Sequence, residues 1–158
     1  MKILVTGGGG FIGRQVMRVL RERGHDATSF DLAAGQDIRD FDAVDSAVHR
    51  VDHVIHLAGV LGTSELFETP YLAVEANVCG TLHVLEACQR HGAGYTGITM
   101  PDSPWRNLYA ATKGAAVHLA EAWRREYGVP VSHVRAFNAY GPGQAYGPGH
   151  PRDRKSVV

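Results

Sequence analysis

Tyr109 and Lys113 stand four residues apart in Tyr109-Ala110-Ala111-Thr112-Lys113, inside a stretch patterned as a helix, so phenol and ammonium share one helical face. Such a pair is suited to taking a proton from a hydroxyl group. A free phenol titrates near pH 10, and work as a base at neutral pH asks for a shift of about 3 units, or ~4 kcal/mol in favour of the phenolate. The Lys113 cation and a cationic cofactor would together supply it. Many helices carry a pair of this kind, and a second feature gives this one its meaning.

That feature begins directly after the apolar run Ile3-Leu4-Val5, where the chain reads Thr6-Gly7-Gly8-Gly9-Gly10-Phe11-Ile12-Gly13. A short buried strand that breaks into glycines and re-emerges as a helix is what a dinucleotide pyrophosphate requires. Gly7 permits the tight turn, Gly10 lets backbone approach the phosphates, and Gly13 allows close helix–strand packing. The helix opened by Phe11 and Ile12 offers free N–H groups and the positive end of its dipole. Asp31 follows eighteen residues after Gly13, at the end of the next strand. A carboxylate there accepts hydrogen bonds from both hydroxyls of the adenosine ribose and repels a 2′-phosphate. No Arg or Lys follows Asp31 closely, which favours NAD over NADP. A second reading of Asp31, as the residue that starts a turn before Leu-Ala-Ala-Gly, stays open.

The elements that must position these groups alternate. Strands are expected at Lys2–Thr6, Ala27–Asp31, Asp52–Leu57, Tyr95–Thr99 and Val129–Val134. Helices are expected at Phe11–Arg23, stopped by Gly24, at Asp40–Val48, at Val74–Arg90 and at Leu108–Tyr127 with Asn107 as a cap. The Val74–Arg90 helix repeats apolar positions at Val74, Val78, Leu82, Leu85 and Cys88, with Gly92 as its stop. Alternation of this kind implies an α/β fold, a doubly wound parallel sheet of about five strands with helices on both faces. The regular pattern occupies 1–140. Residues 141–158 read as a Gly/Pro-rich loop and a basic tail, in which Tyr140-Gly141-Pro142-Gly143 recurs as Tyr146-Gly147-Pro148-Gly149.

Composition excludes several function classes. The 158 residues suit a single domain, and sixteen basic residues balance sixteen acidic ones, so no basic stripe points to nucleic acid. No apolar stretch approaches the ~20 residues of a membrane span, and the run between Lys2 and Thr6 is too short for a signal-peptide core. Cys79 and Cys88 fall nine residues apart on one expected helix. At ~1.5 Å rise per residue that is about 13 Å, too far for a mutual disulfide, and both read as reduced core thiols of a cytoplasmic protein. The nine histidines are scattered, His53 and His56 face opposite ways on one strand, and no metal constellation emerges.

Taken together, these pieces resemble the extended short-chain dehydrogenase/reductase group, specifically the NAD-dependent epimerase/dehydratase family of UDP-glucose 4-epimerase-like proteins. The resemblance runs from Met1 to about Gln144. It is carried by the Thr6–Gly13 loop, Asp31, Asp37-Ile38, Val54-Ile55-His56-Leu57-Ala58-Gly59, Asn77-Val78 with Gly80-Thr81, Tyr109 with Lys113, and Arg135-Ala136-Phe137-Asn138-Ala139-Tyr140-Gly141-Pro142.

The resemblance implies a Rossmann-like, NAD-binding domain over 1–140. It also implies a role for each matching residue. Gly7, Gly10, Phe11, Ile12 and Gly13 hold the pyrophosphate, Asp31 the ribose, and Asp37 and Ile38 flank the adenine. Leu57, Ala58 and Gly59 line the middle of the cofactor, and Asn77 supports the active-site end of its helix. Tyr109 takes a proton from a sugar hydroxyl while hydride passes to the nicotinamide, whose ribose Lys113 also holds. Plainer readings stand beside these: Asp37 as a helix cap, and Leu57-Ala58 as ordinary strand core. A homodimer through the helices of Asn77 and Tyr109 is likewise implied.

The chain departs from the family's pattern in two places. Family members place a Ser or Thr at the end of the fourth strand to hydrogen-bond the reacting oxygen. Thr99 fits, with Ser103 as its rival, but only ten residues lead from Thr99 to Tyr109, fewer than the family uses. Dehydratases follow that Thr with acidic residues, whereas Met100 and Pro101 occupy those places here and only Asp102 follows. The second departure is length, since the family continues into more sheet and a C-terminal lobe that grips the nucleotide-sugar. The expectation is a chain lacking that substrate lobe, truncated relative to the family, with an edge strand that a partner or further chain would cover. Two functions compete: an NAD-dependent enzyme acting on a nucleotide-sugar hydroxyl, and a catalytically incomplete NAD-binding half-protein without turnover. A third, redox sensing with NADP, is opposed by Asp31 and by the intact Tyr109–Lys113 pair.

Overall fold

The computed structural model describes residues 1–61, 65–100, 107–137 and 139–144, with backbone only at Glu65 and Phe67. Five strands, β1 (Lys2–Thr6), β2 (Asp26–Phe30), β3 (His53–His56), β4 (Gly94–Thr99) and β5 (Val131–Arg135), form one sheet in the order β2-β1-β3-β4-β5. Every pairing is parallel. The central strand shows why: Ile3, Leu4 and Val5 are all buried, so both faces of β1 are covered, as a parallel sheet demands.

Alternate residues feed two cores. Ile3, Val5 and Ala27, with Ile55 and Leu57, pack on one side against Met17, Val16 and Leu20 of α1 (Phe11–Glu22). On the other side Leu4, Phe30, Val54 and Tyr95 meet three helices. These are α2 (Phe41–Val48) through Val44 and Val48, α5 (Gly80–His91) through Val84, Leu85 and Cys88, and α6 (Leu108–Tyr127) through Ala120. The architecture is the Rossmann-like doubly wound sheet expected from the alternation. The chain leaves β1 outward to β2 and then returns to lay β3 on the opposite side of β1. Strand order therefore reverses at β1, and a crevice opens beyond the carboxyl ends of β1 and β3.

Most element ends agree with the sequence within a residue or two. Gly24, Gly92 and Gly128 all adopt positive φ where their helices end. The Asn107 side chain caps α6 by accepting the Ala110 N–H at 2.8 Å. Midway along α6, Gly114 is exposed, and a Cβ added there meets nothing within 4 Å. Gly114→Ala should therefore stabilise the fold by ~0.5–1 kcal/mol through lower backbone entropy in the unfolded chain. Urea denaturation checks it, and a loss of stability would contradict it.

The expected Val74–Arg90 helix is the largest correction. The chain forms α3 (Glu65–Glu68), α4 (Pro70–Val74), a π-helical turn (Glu75–Cys79) and only then α5. A π turn inserts one residue into the i→i−4 ladder and rotates the downstream face. Val74 is consequently 41% exposed, Val78 and Leu82 are only half-buried, and the core-facing set is Ala73, Ala76, Asn77, Thr81, Val84, Leu85 and Cys88. Cys79 is exposed and not a core thiol, contrary to expectation. Cys88 is buried, and burial pushes its thiol up to about 12.

Strand β5 pairs with β4 alone and forms the sheet edge among the described residues, with Val134 54% exposed. Of the segment expected as loop and tail, 141–144 is described, and there the Gly143 carbonyl accepts a bond from Arg14 at 3.2 Å. Pro101, Asp102, Ser103, Asn138, the second Tyr-Gly-Pro-Gly string and the basic tail lie outside the described residues. Among the described residues no helix is long and apolar enough to cross a membrane, and no group of three metal-ligating side chains gathers.

Candidate cofactor and active site

The crevice at the strand-order reversal is a cleft of about 450 Å³. Its floor is the glycine-rich turn. Gly7 sits at φ +71°, and a Cβ there would lie 2.8 Å from the Ala58 nitrogen, so turn and β3 exit loop touch backbone to backbone. Gly10 N–H closes the turn onto the Gly7 carbonyl at 3.1 Å. Helix α1 starts at Gly10 with no side-chain cap and no acidic residue in its first turn. Its positive end thus faces the cleft without an internal counter-charge, which suits an anion.

At one end of the cleft stands Asp31. Its Oδ2 accepts the Gly9 N–H at 2.8 Å and its Oδ1 accepts the Ala33 N–H at 2.9 Å. The turn-starting reading of Asp31 is met, since it caps the 3-10 turn Leu32–Ala34, and the same carboxylate lines the cleft with acceptor capacity left over. Asp37 and Ile38 line the same end. Asp37 does not cap α2; Asp40 does, accepting the Ala43 N–H at 3.1 Å. The Asp37 carboxylate is instead clasped by Arg39, at 2.6 Å to its terminal nitrogen, which holds it below the usual carboxylate range. Arg39 also lines the cleft and reaches Glu75 at 3.3 Å. Ile38 is wedged against Gly80, where a Cβ would lie 2.9 Å from its Cγ2.

Leu57, Ala58 and Gly59 form the middle wall, and Ile98, Tyr109 and Lys113 the far end. Burial raises the Tyr109 phenol above its ordinary value and lowers the Lys113 ammonium. Burial by itself therefore does not activate the phenol, and Lys113 lines the same end of the cleft. The cleft brings together Gly7, Gly10, Phe11, Ile12, Gly13, Asp31, Asp37, Ile38, Leu57, Ala58, Gly59, Tyr109 and Lys113.

Two expected site residues stand apart from that wall. Asn77 is buried behind it, and its side chain accepts from Val60 N–H at 2.8 Å while donating to the Val60 carbonyl at 3.1 Å. Thr99 ends β4 half-buried and does not line the cleft; its carbonyl accepts the Ala136 N–H at 3.1 Å. The sequence reading quoted Thr6 and Thr81 within the family's motifs but gave no role to them, to Thr112 or to Arg39. Arg39, two residues beyond Asp37, was within reach of a charge-pairing argument.

His56 lies under the wall, fully enclosed. Burial, reinforced by the positive charge of Lys113, pushes its imidazole down to about 3. An unfolded chain titrates this group near 6.5, so below that pH the unfolded state takes up a proton that the folded state refuses. Stability is intact above pH 6.5 and falls as pH drops toward 3, by up to ~1.4 kcal/mol per unit from this group. Urea midpoints at pH 7.5 and pH 5 should converge in His56→Gln relative to the parent. Equal convergence in both proteins would contradict the assignment.

Comparison with known proteins agrees with the geometry. The sequence profile of the NAD dependent epimerase/dehydratase family matches residues 3–157, and the chain belongs to that family. It is 32% identical to dTDP-glucose 4,6-dehydratase of Mycobacterium tuberculosis, over all of this chain and 59% of that protein. It is 41% identical to 2-alkyl-3-oxoalkanoate reductase of Stenotrophomonas maltophilia, over 60% of this chain and 31% of that one. The crystal structure of Thermus thermophilus UDP-glucose 4-epimerase with NAD superposes with a TM-score of 0.82 at 28% identity, covering 94% of this chain and 59% of that one. The chain thus spans about three-fifths of the length of the dehydratase and the epimerase. The family is one of NAD-dependent enzymes, and this cleft fits NAD: a glycine turn without Cβ atoms, an uncapped helix start and the Asp31 carboxylate in the lining.

Proposed function

We propose that the protein is an NAD-dependent oxidoreductase of the epimerase/dehydratase type, acting on a hydroxyl of a nucleotide-sugar. The observation that carries this reading is a single cleft with the glycine turn and Asp31 at one end and Tyr109 with Lys113 at the other. Bound NAD supplies the acceptor for a hydride leaving the hydroxyl-bearing carbon. Tyr109 accepts the hydroxyl proton. Lys113 holds positive charge beside the phenolate and is kept partly dry by its burial, which strengthens that interaction. Asp31 selects the unphosphorylated ribose, since a 2′-phosphate would meet its carboxylate. Thr99 ends β4 next to the cleft-lining Ile98 without lining the cleft itself and takes no part in this reading, while Asn77 is the support of the Tyr109 side of the site. Met100, in the position where dehydratases carry an acid, favours an outcome other than water elimination.

UDP-glucose and dTDP-glucose are the first substrates to test, because relatives named for them match this chain. The protein, loaded with NAD, should convert one of them, as followed by NADH absorbance and by chromatography of the sugar product. NADH binding without conversion of these or other nucleotide-sugars would leave cofactor binding as the function of this chain. Conversion of a 2-alkyl-3-oxoalkanoate in preference to sugars would overturn the substrate class.

A further inference from the structure

Five buried or half-buried polar groups run from the cofactor wall to the Tyr109 helix, and their proton directions can be worked out. The Thr81 hydroxyl lies 2.7 Å from the Asn77 main-chain carbonyl, which can only accept, so the single Thr81 proton is spent there. Toward His56 Nε2, at 3.1 Å, Thr81 must then accept, and Nε2 carries the imidazole hydrogen. A neutral imidazole has one N–H, so Nδ1 accepts from the Thr6 hydroxyl at 2.7 Å. Thr6 Oγ1 in turn accepts the Ala58 N–H at 3.2 Å.

Beyond Asn77 the chain continues. Its Nδ2 donates to Thr112 Oγ1 at 3.1 Å, and the single Thr112 proton is shared between the carbonyls of Leu108 and Tyr109 at 3.0 and 3.1 Å. Along this path each donor faces away from Ala58 in the cleft wall and toward the first turn of α6, and at Asn77 the path passes from the main-chain carbonyl to the side-chain amide through covalent bonds. Asn77 also clamps Val60, a second wall residue, and it does so from the π turn that broke the expected helix. A π turn at this place frees the Asn77 side chain to face the wall and Thr112 together.

We propose that His56, as the neutral Nε2–H tautomer, is a positioning residue that couples the cofactor wall at Ala58–Val60 to the Tyr109 end of the site through Thr81, Asn77 and Thr112. The proposal rests on the reading of Tyr109 as the proton acceptor. It adds a specific consequence: occupation of the adenosine half of the cleft is felt at Tyr109, which that half does not touch.

Histidine and tyrosine labelling for NMR on the full chain tests it, with ADP as a probe that reaches the glycine turn and Asp31, and NADH as a probe that fills the cleft. In the parent protein His56 should show a protonated Nε2 and an unprotonated Nδ1. ADP and NADH should each shift the Tyr109 ring signals. In His56→Gln the amide can donate from the Nε2 position but offers Thr6 no Nδ1 acceptor, and the ADP-induced shift should fall below that of the parent. In His56→Asn, which reproduces only the Nδ1 acceptor, and in Thr81→Val, the ADP-induced shift should vanish while the NADH-induced shift remains. A protonated Nδ1, an ADP shift undiminished in His56→Asn and Thr81→Val, or a parent protein whose Tyr109 answers NADH but not ADP would each overturn the coupling. Failure of NADH itself to move Tyr109 would instead overturn the reading of the site.

Discussion

Alanine in place of Gly13 should both destabilise the protein by about 3 kcal/mol and abolish cofactor binding, the upper end of what overpacking costs. The added Cβ would stand 2.0 Å from the Gly7 carbonyl oxygen and 2.7 Å from the Gly8 Cα. Those are backbone atoms of the turn, with no side chain to swing aside. Relief requires α1 to move away from the turn, which pulls its amino terminus from the phosphate position. Gly10 supplies the contrast: a Cβ there touches only the Gly7 oxygen, at 3.2 Å. Gly10→Ala should therefore keep near-normal stability and lose affinity because its methyl projects into the cleft. Urea denaturation and NADH fluorescence titration separate the two effects. A Gly13→Ala protein as stable as the parent would contradict the packing assigned to α1.

Replacing Tyr109 with Phe should lower turnover of a nucleotide-sugar by about 10²–10⁴-fold, the range typical of a lost acid–base group, while changing NADH affinity little. The phenol ring remains in the cleft wall and only its oxygen goes. Burial raises the phenol in the protein without cofactor, so at neutral pH a tyrosine left to itself is even less often phenolate than a free phenol. In the proposed mechanism the Lys113 charge reverses that. Lys113→Met should accordingly lose activity and also shift the alkaline direction of the pH–rate profile, since less positive charge leaves the phenolate less favoured. Single-turnover kinetics with bound NAD provide the measurement. Full activity in Tyr109→Phe would exclude the proposed role.

The architecture was legible where one element decides it. Alternating strands and helices, the glycine turn and the Asn107 cap each follow from local residue types. Asp31 was legible as a turn starter, and its carboxylate holds Ala33 N–H with one oxygen and Gly9 N–H of the glycine turn with the other. The π turn was not legible. Val74, Val78 and Leu82 satisfy a 3.6-residue period, and nothing within Glu75–Cys79 itself announces an inserted residue. The demand comes from outside, from Val60 and Thr112, which together hold the Asn77 side chain. The same reason hid the Thr6–His56–Thr81 chain, whose members come from three elements far apart in sequence. Thr99 illustrates the converse: its place at the end of β4 was readable, but the side of the strand from which the cleft is built was not.

The central claim, that the amino-terminal turn and Asp31 hold the diphosphate and ribose of NAD, is tested most directly by calorimetric titration of NADH into the protein and into Asp31→Ala. Saturable one-to-one binding to the parent, weakened about tenfold or more when the ribose loses its charged hydrogen-bond acceptor, is the expected result. No saturable heat from a folded sample, or equal affinity in the two proteins, would contradict it.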